Sequence, residues 1–164
     1  MSEKVTFLRI WEREFRTTVR VLKAFPPEKI EEKPHERSRT VGSLAWQCAT
    51  DERVISAILD DENDLRNVPP GPPMPGTMEE IVAAYEAAHR EAFEKMSLAQ
   101  EEEFTKTVTV LLRGGQIDLP RPDAIWGNLM DEVHHRGQLT VYLRLAGGKV
   151  PSIYGPSGDE PLGR

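Results

Sequence analysis

Cysteine, aromatic residues and long apolar runs are all scarce in this chain of 164 residues. The one cysteine, Cys48, excludes a disulfide scaffold and fits a reducing compartment. No run approaches the roughly 18 consecutive apolar residues that a bilayer span needs. The opening Met1-Ser2-Glu3-Lys4-Val5 leads straight into a charged amphipathic stretch without a signal-like apolar core. A cytoplasmic location without a membrane partner is the expectation. Positive charge is also short, with 21 Lys and Arg against 27 Asp and Glu, a net charge of −6. No basic stripe is available to follow a phosphate backbone, so nucleic acid is not an expected partner. What is present is 38% hydrophobic and 29% charged residues, enough for one core under a solvated surface. The length suits a single domain over residues 1–164.

Four stretches carry a 3.6-residue apolar period. The first, from about Thr6 to Phe25, places Val5, Leu8, Phe15, Val19 and Leu22 on one stripe and stops at Pro26-Pro27. The second starts at Thr40 as N-cap, buries Leu44, Cys48, Ile55, Ile58 and Leu59, and dissolves in Asp60-Asp61-Glu62-Asn63-Asp64. Pro69, Pro70, Pro72, Pro73 and Pro75 then make an extended crossover. Thr77-Met78-Glu79-Glu80 is a capping box for the third helix, whose face is Ile81, Tyr85, Ala88, Ala92 and Met96. The β-branched Thr105, Thr107, Val108, Thr109 and Val110 predict a short hairpin, turning at Gly114-Gly115, or an extended excursion. Asp123 is the expected N-cap of the fourth helix, which carries Ile125, Leu129, Val133, Tyr142, Leu143 and Leu145 to a Gly147-Gly148 stop. An irregular tail follows from about Val150 and covers residues 152–164. The whole reads as an all-α four-helix bundle with one long crossover between helices 2 and 3 and a short extended or hairpin excursion between helices 3 and 4.

The densest polar run is Asp131-Glu132-Val133-His134-His135-Arg136-Gly137-Gln138. Asp131 and His135 are four apart, so they share a helix face and can reach one cation or exchange one proton. The plainer alternative is a surface ion pair. His134 points about 100 degrees away from His135, so one of the two is expected to be structural, for example by donating to a backbone carbonyl. Gly137 inside a helix suggests a close backbone contact, with Arg136 beside it free to meet a carboxylate. Cys48 reads as a small core residue, His35 as an exposed loop residue and His89 as solvated or interfacial. Trp11, Trp46 and Trp126 read as core or dimer anchors. Glu101-Glu102-Glu103 reads as a solvated charge cluster.

His134-His135-Arg136-Gly137-Gln138-Leu139-Thr140, with Tyr142-Leu143-Arg144, Pro151 and Tyr154-Gly155-Pro156-Ser157, resembles the DinB/YfiT-like superfamily. Arg37-Ser38 and Val41-Gly42-Ser43-Leu44-Ala45-Trp46 resemble the same family's approach to its second helix. The resemblance implies a four-helix bundle that forms homodimers and holds a divalent metal, such as zinc or nickel, through three histidines. It further implies a low-molecular-weight thiol cosubstrate, since characterised members include thiol-dependent S-transferases and a mycothiol-dependent isomerase. The three histidine positions fall on Gln47, Asp131 and His135, which are the expected metal residues. Asp is an acceptable exchange for His at such a site, whereas an amide oxygen is a weaker donor. Asp51, one turn beyond Gln47, is better placed than Glu52 to compensate. Two functions follow as expectations. One is a metal-dependent, thiol-linked transferase or hydrolase. The other is a metal-free relative that binds a small molecule or acts as a dimeric scaffold.

Overall fold

The computed structural model describes residues 2–60, 70–112 and 115–161. Four long helices dominate: α1 (Glu3–Lys23), α2 (Val41–Leu59), α3 (Met78–Leu98) and α5 (Arg121–Leu145). A one-turn helix α4 (Glu101–Phe104) and the strands β1 (Thr107–Leu112) and β2 (Gly115–Pro120) lie between α3 and α5. The end of the acidic run after Asp60, together with Pro69 and Gly114, lies outside the described residues.

Each helix start has a local cause. Ser2 caps α1 by accepting from the Val5 N–H, three residues before the expected start. Thr40 caps α2, and the Thr77–Glu80 capping box opens α3 as expected. The fourth long helix departs from expectation, because Pro120 is its N-cap and Asp123 sits inside the first turn. There Asp123 offers its charge to the positive helix end without capping it. The stop at Gly147 is a Schellman turn. Gly147 has φ +81°, its N–H donates to the Arg144 carbonyl, and the Gly148 N–H reaches back to Leu143.

Helix α1 packs against α3 and α5, and α2 packs against the same two, so α1 and α2 stand on one diagonal. One apolar cluster joins Val21 and Leu22, Leu44 and Cys48, Ile81 and Tyr85, and Leu139 and Leu143. A second joins Phe7 and Trp11, Ile55 and Ile58, Ala92 and Met96, and Ile125 and Leu129, with Val108 and Val110 of β1. The first cluster gathers the N-terminal halves of α2 and α3, so those neighbours run parallel. Parallel neighbours need a long connection, which is the physical role of the proline-rich crossover. The hairpin pairs Val108 with Leu119 and Val110 with Ile117, and lays its buried valines on the second cluster.

Between the two apolar clusters lies a belt of buried polar side chains: Glu14 and Thr18 on α1, Asp51 and Glu52 on α2, His89 on α3, and Glu132 and Arg136 on α5. This belt corrects the stripe expected for α1. Its buried face is Phe7, Trp11, Glu14, Thr18 and Val21, at spacings of four and three, with Leu22 buried as expected, while Val5 is 46% exposed. Leu8, Phe15 and Val19 flank that face and are partly buried. Leu145 on α5 is likewise exposed. No described helix is long and apolar enough to cross a membrane.

Candidate metal centre

On the seam between α2 and α5 the structure brings together Asp51, Asp131 and His135. One donor atom from each lies within 4.8 Å of the others. His135 Nδ1 is 3.5 Å from Asp131 Oδ2 on its own helix and 3.9 Å from Asp51 Oδ2 across the seam. These separations are too long for good hydrogen bonds. Accordingly His135 Nδ1 and Asp51 Oδ2 are buried without a hydrogen-bond partner. Ligand atoms about 2.0–2.2 Å from one tetrahedral cation lie roughly 3.4 Å apart, so the spacing suits a shared ion. Two carboxylates and an imidazole also balance a divalent charge. The side chain of Asp51 is 3% exposed, that of His135 13% and that of Asp131 55%, so the group opens to solvent along α5.

Asp51 is held from two sides. The Gln47 amide donates to its Oδ1 at 2.8 Å, leaving Oδ2 turned to His135. Asn128 on α5 donates to its backbone carbonyl at 2.7 Å, tying the two helices at this level. Burial raises the Asp51 carboxyl above the usual carboxylate range, while the nearby His135 ring and the bond from Gln47 oppose that rise. Gln47 itself lies beside the group: its amide serves Asp51 and its carbonyl oxygen accepts from Arg39 at 3.0 Å. The sequence thus points to two of the three clustered residues, and the i+4 spacing from Gln47 points to the third.

The other singled-out residues fall elsewhere. His134 is exposed and shares a hydrogen bond with the Gln138 side chain at 2.8 Å instead of donating to a backbone carbonyl. Gly137 makes no close contact, for a Cβ placed there meets nothing within 4 Å. Cys48 is fully buried and burial pushes its thiol well up, which keeps it protonated and unreactive. Trp11 is buried, whereas Trp46 lies partly buried under the Arg53 guanidinium. His35 stays exposed, with its Nδ1 accepting from the Arg37 N–H.

His89 is neither solvated nor interfacial within the chain. It is 4% exposed, stacked on Phe15 at 3.7 Å, with its Nδ1 3.0 Å from Glu52 Oε1 and its Nε2 3.1 Å from Glu12 Oε2. Trp11 donates its indole N–H to the same Glu52 oxygen at 3.0 Å. Burial pushes the His89 pKa down and the Glu52 pKa well up. The bonds then balance with His89 neutral, Nε2–H donated to Glu12, and Nδ1 accepting from the protonated Glu52 carboxyl.

Arg136 is buried and meets a carboxylate, as expected. It bonds Glu14 Oε2 at 2.7 Å and the Tyr154 hydroxyl at 2.6 Å, so the irregular tail is strapped to α1 and α5. Burial opposes ionisation of Glu14, but Tyr154, Arg13 and Arg136 together hold its carboxyl below the usual range. Glu132 accepts from Tyr85 at 2.6 Å and from Thr18 at 3.0 Å, and burial with the nearby Glu52 raises its pKa to about 8.

Bundle and cluster together define a helical-bundle protein with a histidine–carboxylate group on one seam. The sequence model of the DinB family matches residues 1–161, and the chain belongs to that family. It is 29% identical over 156 residues to the uncharacterised protein YrdA of Bacillus subtilis, covering 94% of this chain and 89% of that one. The crystal structure of a DinB-like protein from Bacillus cereus superposes with a TM-score of 0.72 at 22% identity, over 90% of this chain and 95% of that one. The DinB-like protein YjoA of Bacillus subtilis gives 0.72 at 14% identity, over 91% and 96% of the two chains. At those identities the two structures bear on the fold alone.

Proposed function

We propose that the protein is a divalent-metal-dependent enzyme, a thiol-linked transferase or hydrolase, whose metal is held by Asp51, Asp131 and His135. The observation that carries the reading is the pair of buried, unbonded donor atoms, Asp51 Oδ2 and His135 Nδ1, aimed at each other from two helices. A buried polar atom without a partner costs about 1–3 kcal/mol, so its retention favours a ligand over a structural bond. A divalent ion there supplies Lewis acidity to a thiol or water substrate. Gln47 and Asn128 fix the Asp51 carboxylate and backbone, and exposed Asp131 leaves one side open to a small molecule. With two carboxylates in the set, the preference moves from nickel towards zinc and manganese.

The test is elemental analysis of protein prepared without a polyhistidine tag, followed by titration with zinc and manganese after chelator treatment. One equivalent bound, and lost in His135→Ala with helicity unchanged, is the expected result. Less than about a tenth of an equivalent in every condition removes the reading and leaves a metal-free binding or scaffold protein.

We infer that two copies pair through the outer face of α5. Met130, Val141 and Leu145 are exposed there, and Gly127 and Gly137 leave open space beside them. A light-scattering mass of twice 18.5 kDa supports this pairing, and a monomer mass refutes it.

A further inference from the structure

A cavity of about 660 Å³ opens on the opposite seam, between α1 and α3. That volume lies in the range of about 300–1,000 Å³ typical of small-molecule sites. Its floor is apolar and flat, with Phe15, Val19 and Phe93 around the buried ring of His89. Glu12 stands at the inner edge, bonded to His89 by one oxygen and to Arg16 by the other.

The rim carries three arginines and three glutamates, most already paired. Arg16 holds Glu12, Arg20 holds Glu160, and Lys23 holds Glu86. Arg90 and Glu94 are the exceptions, for neither has a hydrogen-bond or ion-pair partner among the described residues. They are four apart on α3, with the cation on the N-terminal side, which is the weaker order for a helical pair. One free cation and one free anion thus stand a helical turn apart above an aromatic floor.

We propose that this groove binds a small zwitterion with an apolar or aromatic body, of the α-amino acid type. The carboxylate would meet Arg90, the ammonium would meet Glu94, and the side chain would lie on Phe15 and Phe93 beside His89. A singly charged molecule would leave one of the two rim groups unpaired. The site is separate from the seam holding Asp51, Asp131 and His135, so it stands or falls independently of the metal.

The experiment titrates chelator-treated protein with L-phenylalanine, phenethylamine and hydrocinnamate, by calorimetry and by the NMR shifts of the His89 ring. Saturable L-phenylalanine binding that moves the His89 resonances is expected. Removal of either charge from the probe should weaken it about tenfold, as should Arg90→Gln or Glu94→Gln at the exposed rim. Three outcomes overturn the proposal: no saturable binding at millimolar concentration, equal affinity for phenethylamine or hydrocinnamate, or binding untouched by both rim variants.

Discussion

The two seams of the bundle use the same residue types in opposite ways. Between α1 and α3, the His89 imidazole is saturated, with a carboxylate at 3.0 Å on one nitrogen and at 3.1 Å on the other. Between α2 and α5, His135 Nδ1 faces two carboxylates at 3.5 and 3.9 Å and bonds to neither. Less than an ångström separates a hydrogen bond from a gap that suits a cation. The first cluster therefore contributes to folding, and the second is left available for binding.

The largest effect belongs to the saturated belt. Arg136→Ala takes a buried cation from Glu14, which keeps Arg13 and Tyr154, and opens a cavity, so it should cost about 3 kcal/mol of stability by urea denaturation. A loss below about 1 kcal/mol would mean the pair contributes little. His89→Ala should cost about 3 kcal/mol through the cavity and the lost partner of Glu52, whereas His135→Ala should cost less than about 1 kcal/mol without metal. Equal losses for the two histidines would erase the contrast between the seams.

A smaller effect separates holding a ligand residue from being one. Gln47→Ala should weaken metal binding by about tenfold, the scale of an outer partner, by releasing Asp51 Oδ1. A loss as large as that of Asp51→Ala would make Gln47 a direct ligand.

The smallest effect is a pH slope. Burial lifts the Glu132 carboxyl to about 8 from 4.5, so the folded chain binds an extra proton between those values. Stability should therefore fall as pH rises through that window, and Glu132→Gln should flatten the fall. Melting temperatures across the same pH range, with and without the substitution, check the sign.

Apolar periodicity exposed most of the architecture, because the apolar residues it picks on α2 and α3 are buried or nearly so. It misread α1, where Glu14 and Thr18 hold central positions and the flanking Val5 and Val19 look more apolar than the true face. The spacing of Phe7, Trp11, Glu14, Thr18 and Val21 carries the correct period once polar residues are admitted. Asp131 and His135 were legible from their i,i+4 spacing on one helix. Burial of His89 was not, because Arg90 and Glu91 beside it suggest solvent and its carboxylate partners come from other helices. For Arg136 a carboxylate partner was legible but not which one, since Glu14 lies 122 residues away.

Anomalous diffraction from crystals of the untagged protein soaked in zinc or manganese is the most direct measurement of the central claim. A peak about 2.0–2.2 Å from His135 Nδ1 and bonded to Asp51 Oδ2 and Asp131 Oδ2 is the predicted result. A fully soaked crystal with no peak between these three side chains, or with the ion bound elsewhere, would contradict it.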